Sequence, residues 1–119
     1  KELNSNSILK ECQNRDIPIL AIRAVQAGAL TSSMDRKPHP SGHDEKDFKD
    51  FEKASLFREV AKKWNISPSD LAHRYTLSVS GVSSVILGVK NRIELEECTN
   101  AERIQLTKQE IAELEALYF

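Results

Sequence analysis

The stretch with the most chemical content is SSVILGVKNRIELEE, residues 83 to 97. A small, β-branched-rich run breaks at Gly88 and passes at once into a charged stretch with helical spacing, so a strand hands over to a helix start. Such a junction suits an anion, because first-turn N–H groups lack partners within the helix and the dipole adds positive charge there. Gly88 allows close approach of a ligand to the backbone, and Lys90 supplies a cation. Read in isolation, the same residues also describe an ordinary strand-to-helix connection with Lys90 and Arg92 in solvent.

Other reactive side chains carry weaker patterns. His39 and His43 stand four apart in a proline-containing loop, but no carboxylate or cysteine joins them at ligand spacing, which favours a solvated loop over a metal pair. Cys12 and Cys98 form no CxxC motif and are read as reduced thiols. Cys98 sits near a helix start, where thiolates are favoured, yet shares an apolar side with Leu95, which favours packing. His73 falls on a helix whose opposite side carries the apolar residues, so it is expected at the surface. Phe57, Val60 and Trp64 are expected in the core.

The elements that must position the junction are set by periodicity and caps. Leu3, Ile8, Leu9 and Cys12 have helix-compatible intervals between Glu2 and about Asn14. Residues 17 to 22, IPILAI, form a nearly continuous apolar run, as in a strand buried on both faces of a parallel sheet, with Pro18 tolerated only at its start. Residues 32 to 46 show no apolar period and read as a long surface loop. Phe57, Val60, Ala61 and Trp64 then mark a helix whose stripe Phe48 and Phe51 extend upstream.

Ser67, Pro68 and Asp70 spell a cap, a first helical proline and a first-turn carboxylate for a helix through Tyr75 and Thr76. Val82 to Leu87 is the second strand; Asn91 with Glu94, and Thr107 with Glu110, start the last two helices. Ile111, Leu114 and Leu117 form the buried side of the final one. The fold class is therefore α/β: two parallel strands joined by a helical crossover and flanked by helices. Two strands alone leave backbone and apolar faces uncovered, so the chain is either a piece of a larger α/β protein or completes its sheet by assembly.

Composition bounds the partners. The 119 residues fit one domain able to bury roughly two-thirds of its unfolded surface. With 17 Lys and Arg against 18 Asp and Glu, no general attraction to nucleic acid or anionic membrane arises. No apolar run nears the roughly 18 residues of a membrane span, and KELNSNSILKE has no signal-like block, so a cytoplasmic protein is expected. The first residue is Lys1, not Met, which fits processing or a start inside a longer chain.

Nearly the whole chain resembles the C-terminal portion of an aldo-keto reductase, a (β/α)8, or TIM, barrel that moves hydride between NAD(P)H and carbonyl compounds. Ile19 to Ile22 resembles its seventh strand, and RAVQAGALTS its Ser-Pro-Leu-x-x-Gly-x-Leu-Thr-Gly segment. SPSDLAHRYTLSVSGVSSVILG resembles its last crossover helix and eighth strand, and VKNRIELEECTNA the start of its eighth helix, which binds the adenosine end of the cofactor. The resemblance implies one C-terminal half-barrel segment over residues 1–119. It also implies cofactor contacts from Arg23, Val25, Gly28 and Leu30 after one strand, and from Gly88, Lys90, Asn91, Glu94, Glu97 and Cys98 after the other.

Departures from the family pattern shape that expectation. Arg23 replaces a pyrophosphate-binding hydroxyl; Glu94 stands where Arg or Gln often faces the 2′-phosphate; Cys98 stands where an Asn usually meets adenine. Glu97 matches the carboxylate that meets the adenine amino group. Lys90 speaks for NADP, whereas Glu94 keeps NAD as the alternative. The family's catalytic tyrosine, lysine, aspartate and histidine belong to the first half of the barrel and have no counterpart in these residues, so no catalytic residue is assigned. Two functions are compatible with these residues. One is the cofactor-binding C-terminal part of an NAD(P)H-dependent reductase for small carbonyl compounds, inactive alone. The other is a non-enzymatic half-barrel that pairs with itself or with a partner chain.

Overall fold

A computed structural model describes residues 8–33, 40–42 and 45–117. Their elements are α1 (Ile8–Asn14), β1 (Ile19–Ala21), a 3-10 turn (Gln26–Gly28), α2 (Glu45–Lys53), α3 (Ser55–Lys63), α4 (Pro68–Ser78), β2 (Val82–Val85), α5 (Arg92–Arg103) and α6 (Lys108–Glu115). β1 and β2 pair in parallel, with Ile19 opposite Val82, Leu20 opposite Ser84 and Ala21 opposite Val85, and an irregularity between Ile19 and Leu20. The expected α/β class and parallel pair are thus present, with α2, α3 and α4 lying between the strands in the chain.

Both strands are shorter than their apolar runs. The Ile17 amide donates to the Cys12 carbonyl at 2.8 Å, closing the turn after α1 and withdrawing Ile17 from the sheet. At the other end the ladder finishes with Ile86 N–H donating to Ala21 O at 2.8 Å. Ile86 and Leu87 then leave the sheet ahead of Gly88. Nor are both faces covered: Leu20 is 60% and Ile22 66% exposed, which corrects the expectation of a fully buried first strand. A parallel strand gains burial only from layers on both faces, and the described residues supply too few.

The core lies instead among helices. Phe57, Val60, Ala61, Leu71, Ala72, Leu106 and Leu114 form one cluster, with Trp64, Ile111 and Leu117 half-buried against it. The expected helix over Phe48 to Trp64 is divided at Ala54, although Ala54 N–H still reaches Asp50 O and Arg58 N–H reaches Ala54 O. Phe48 and Phe51 stack with centroids 5.2 Å apart. The loop expected over residues 32 to 46 ends earlier, at the Glu45 start of α2; residues 34–39 and 43–44, with both loop histidines His39 and His43, lie outside the described residues.

Helix α4 carries the strongest local logic. Ser67 Oγ accepts the Asp70 N–H at 3.1 Å and Pro68 takes the first helical position, where a missing N–H costs nothing. Leu71 and Ala72 enter the core, and the rest of the circumference is buried as well. Asp70 and Arg74 make this tolerable: Arg74 Nε donates to Asp70 Oδ1 at 2.6 Å and Nη2 to Oδ2 at 2.7 Å. His73 is only 5% exposed, which overturns the surface reading. Periodicity along α4 implies one solvated face, but α5 covers the face opposite the core.

Removing one member of the Asp70–Arg74 fork leaves a buried charge without its partner. Arg74→Met is expected to lower stability by about 3 kcal/mol in urea unfolding, and Asp70→Leu combined with it to restore most of the loss. Equal and additive losses in the single and double variants would show that the pair is not coupled.

Candidate functional site

At the C-terminal ends of the two strands the chain forms a cleft of about 600 Å³. One wall is the segment from Arg23 to Ser33, the other runs from Ile86 through Gly88 and Lys90 to Glu94, Glu97 and Cys98, and α4 contributes Ser69 and His73. Eight of the ten residues expected from sequence to act together are thus brought together by the parallel pairing of β1 and β2, which sets the segments beyond the two strand ends side by side.

The Arg23 to Ser33 wall is held in an unusual backbone shape. Arg23, Gln26, Ala27 and Gly28 all have positive φ, at 58°, 46°, 54° and 98°. Left-handed geometry costs a non-glycine residue on the order of 1–3 kcal/mol and persists only where surroundings impose it. Gln26 Nε2 donates to Asp50 Oδ2 at 2.7 Å, while Arg58 donates to Ala29 O at 2.7 Å and to Phe51 O at 2.9 Å. Helices α2 and α3 therefore clamp the loop from behind, and Thr31 Oγ1 closes it by donating to Gly28 O at 2.7 Å.

The opposite wall begins with an open turn. A Cβ placed on Gly88 would meet nothing within 4 Å, so the space in front of it is vacant of chain atoms. The start of α5 has the expected cap, Asn91 Oδ1 accepting Glu94 N–H at 3.0 Å. Glu94 answers by accepting the Lys90 N–H through Oε2 at 2.7 Å, and its Oε1 lies 3.5 Å from Lys90 Nζ. The amide of Lys90 is therefore not directed outward as its sequence position suggested. An internal carboxylate already occupies part of the positive helix end, and only the N–H groups of Arg92 and Ile93 keep the first-turn geometry that faces away from the helix. Lys90 Nζ remains well exposed, so its ion pair with Glu94 is weak and exchangeable.

The deeper wall is polar but quiet. Ser69 Oγ and Cys98 Sγ lie 3.9 Å apart, and Cys98 is buried, in line with the packing reading. Burial pushes the Cys98 thiol up; the Ser69 hydrogen bond opposes this, while the carboxylates of Glu97, Glu94 and Asp70 add to it. A thiol held protonated is a poor nucleophile. His73 Nδ1 is 2.7 Å from Ser69 O. Ser69 and His73 were missed by sequence reasoning, although their i, i+4 spacing beside the Asp70–Arg74 pair carried a signal that this face is polar and occupied.

Two expected site residues lie elsewhere. Asn91 is not part of the cleft wall, its side chain being used as the α5 cap, and Leu30 faces a second cavity of about 400 Å³ shared with Phe57, Tyr75 and Leu114. There the Tyr75 hydroxyl donates to Glu115 Oε1 at 3.4 Å. Burial, and secondarily the Glu115 carboxylate, raise the phenol above its ordinary range, so it stays neutral and away from the strand-end cleft. Among the described residues no three His, Cys, Asp or Glu side chains gather as a metal site, and no helix is long and apolar enough to cross a membrane.

The cleft thus lies at the carboxyl ends of two parallel strands of an α/β fold, walled on one side by a strand-to-helix turn. The aldo/keto reductase family model matches residues 1–118, and the chain belongs to that family of oxidoreductases, which generally use NAD(P)H. No curated protein matches the chain.

The raised Cys98 thiol has a direct readout. Its folded-state pKa lies above the ordinary thiol value, so the protonated form persists at neutral pH and thiolate appears only at higher pH than for a free cysteine. Iodoacetamide at pH 7.5 should leave Cys98 largely unmodified in the folded chain and label it readily in urea. Labelling of folded Cys98 at a free-thiol rate at pH 7.5 would contradict the buried, protonated assignment.

Proposed function

We propose that this chain is the cofactor-binding C-terminal part of an NAD(P)H-dependent aldo-keto reductase barrel, residues 1–119 forming one half-barrel segment that is inactive alone. β1 and β2 take the places of the seventh and eighth strands, and the intact barrel acts on a small carbonyl substrate. The observation that carries the reading is the convergence of two strand-end segments, Arg23–Ser33 and Ile86–Cys98, on one cleft. Its volume of about 600 Å³ falls within the roughly 300–1,000 Å³ of small-molecule sites.

In this proposal Arg23, Val25 and Gly28 line the pyrophosphate side and Gly88 gives the backbone approach. Lys90 meets a 2′-phosphate, while Glu97 and Cys98 border the adenine; Leu30 and Asn91 act indirectly, by supporting the loop and capping α5. The bound nicotinamide supplies the hydride chemistry, whereas the residues of this chain bind, orient and neutralise charge. Glu94 sets the balance between cofactors: with its carboxylate on Lys90 the helix end is partly neutralised, which suits ribose hydroxyls, and an incoming 2′-phosphate must displace it from the ammonium.

Calorimetric titration of NADPH and NADH into the chain tests this. Both should bind in the cleft. Lys90→Glu should weaken NADPH roughly tenfold and NADH much less, because the lost contact is with the 2′-phosphate. Glu94→Gln keeps an acceptor for the Lys90 amide but removes the competing charge, and should shift preference toward NADPH by roughly tenfold. No heat with either dinucleotide would remove the reading.

A second reading rests on a separate observation. Leu20, Ile22 and Ile86 leave apolar side chains exposed in and beside both strands, with Ile22 at 66%. A non-enzymatic half-barrel that pairs with itself or with a partner chain would cover them. Light scattering after size exclusion separates the two: a concentration-independent dimer supports self-pairing, while a clean monomer that binds NADPH supports the reductase segment.

A further inference from the structure

Helix α4 contributes one polar group to the cleft that no capping or packing role accounts for. His73 is 5% exposed and forms part of the cleft wall next to Ser69. Its Nδ1 lies 2.7 Å from the Ser69 carbonyl oxygen, which can only accept, so Nδ1 carries the proton. In the neutral ring Nε2 is then an acceptor with its lone pair directed away from α4. Among the described residues Nε2 has no hydrogen-bond partner, and no side-chain nitrogen or oxygen there is both sealed from solvent and unpartnered. Nε2 therefore opens to solvent, and the open space beside the buried ring is the cleft.

An imidazole more than nine-tenths buried, fixed in one tautomer by its own helix and holding one unsatisfied acceptor, is preorganised for a donor on a ligand. A ligand that fills the cleft shuts water away from Nε2, so one that lacks a donor there leaves the acceptor unpaired, and this discriminates against it. The neighbouring groups fix which part of a ligand comes near. Ser69, His73 and Cys98 touch one another and form the buried, inner part of the lining with Glu97 half-buried next to Cys98, while the cations Arg23 and Lys90 are exposed. The uncharged, hydrogen-bonding end of a dinucleotide belongs at the inner wall, and its phosphates belong with the cations.

We propose that His73 is a specificity-determining contact of this site, Nε2 accepting a hydrogen bond from an N–H or O–H donor on the purine nucleoside end of the bound cofactor. This rests on the cleft being the dinucleotide site. Ser69 acts as the positioning residue, its carbonyl holding the ring in the required tautomer.

The experiment is a titration of the chain and its His73→Leu and His73→Gln variants with NADPH and two analogues. In one, hypoxanthine replaces adenine and removes the exocyclic amine; in the other, the adenosine 3′-hydroxyl is absent. Leu fills the volume without an acceptor; Gln restores one. Circular dichroism and the thermal midpoint establish that each variant is folded. The wild-type chain should bind NADPH roughly tenfold tighter than one of the analogues, His73→Leu should bind both alike, and His73→Gln should recover part of the difference. The analogue that loses affinity identifies the donor as base or ribose. In the wild-type chain, NADPH should also move the His73 Nε2 nitrogen resonance while Nδ1 stays protonated. If NADPH binds and His73→Leu retains the same discrimination, or the Nε2 resonance does not respond, the His73 assignment is wrong and the cleft assignment stands. If no dinucleotide binds to the wild-type chain, both are wrong.

Discussion

The structure depends on burying a helix that is polar on one face. Helix α4 runs between the helical core on one side and α5 and β2 on the other, so nearly all of its first two turns leave water. Leu71 and Ala72 make that favourable on the core side. On the other side Asp70 and Arg74 enter as a fork with both carboxylate oxygens and two guanidinium nitrogens satisfied, and the Ser69 carbonyl takes the Nδ1 proton of His73. Without that internal pairing the desolvation of these groups would oppose the packing of α5 on α4. Without α5 in place, the turn at Gly88 would have no fixed relation to the loop after β1.

Function, in the proposed reading, is a consequence of that placement. Parallel pairing of β1 and β2 brings the two adjoining segments together, and α4 and α5 set their depth. The left-handed backbone from Arg23 to Gly28 is held by Gln26–Asp50 and by Arg58 from behind, so its strain is carried by helices outside the cleft. Glu94 is both a structural cap partner and a counter-charge to Lys90, which ties cofactor preference to the integrity of the α5 start.

The uneven core has a related meaning. Helices α3, α4 and α6 bury a contiguous apolar cluster, whereas Leu20, Ile22 and Ile86 stay exposed in and beside a two-stranded sheet. A sheet of two strands cannot cover its own faces, so these side chains remain open to solvent. The same feature underlies both readings of what this family member does, since either a first half-barrel or a second chain would cover that surface.

What the sequence determined by itself was local or familial. The caps at Ser67, Asn91 and Thr107 are legible because a side-chain oxygen reaches an amide three residues ahead, a geometry independent of the rest of the fold. The parallel strand pair was legible as two apolar runs, and the family resemblance was carried by residues spread over most of the chain. Strand lengths were not legible, because Ile17, Ile22, Ile86 and Leu87 are apolar whether or not a neighbour pairs with them. Tertiary structure alone decided that His73 is buried, since periodicity sees one helix and not the second helix laid over its polar face. It also decided that Glu94, not solvent or ligand, takes the Lys90 amide, and that Leu30 faces a different cavity from Gly28, because these depend on distances in space that spacing along a chain does not encode.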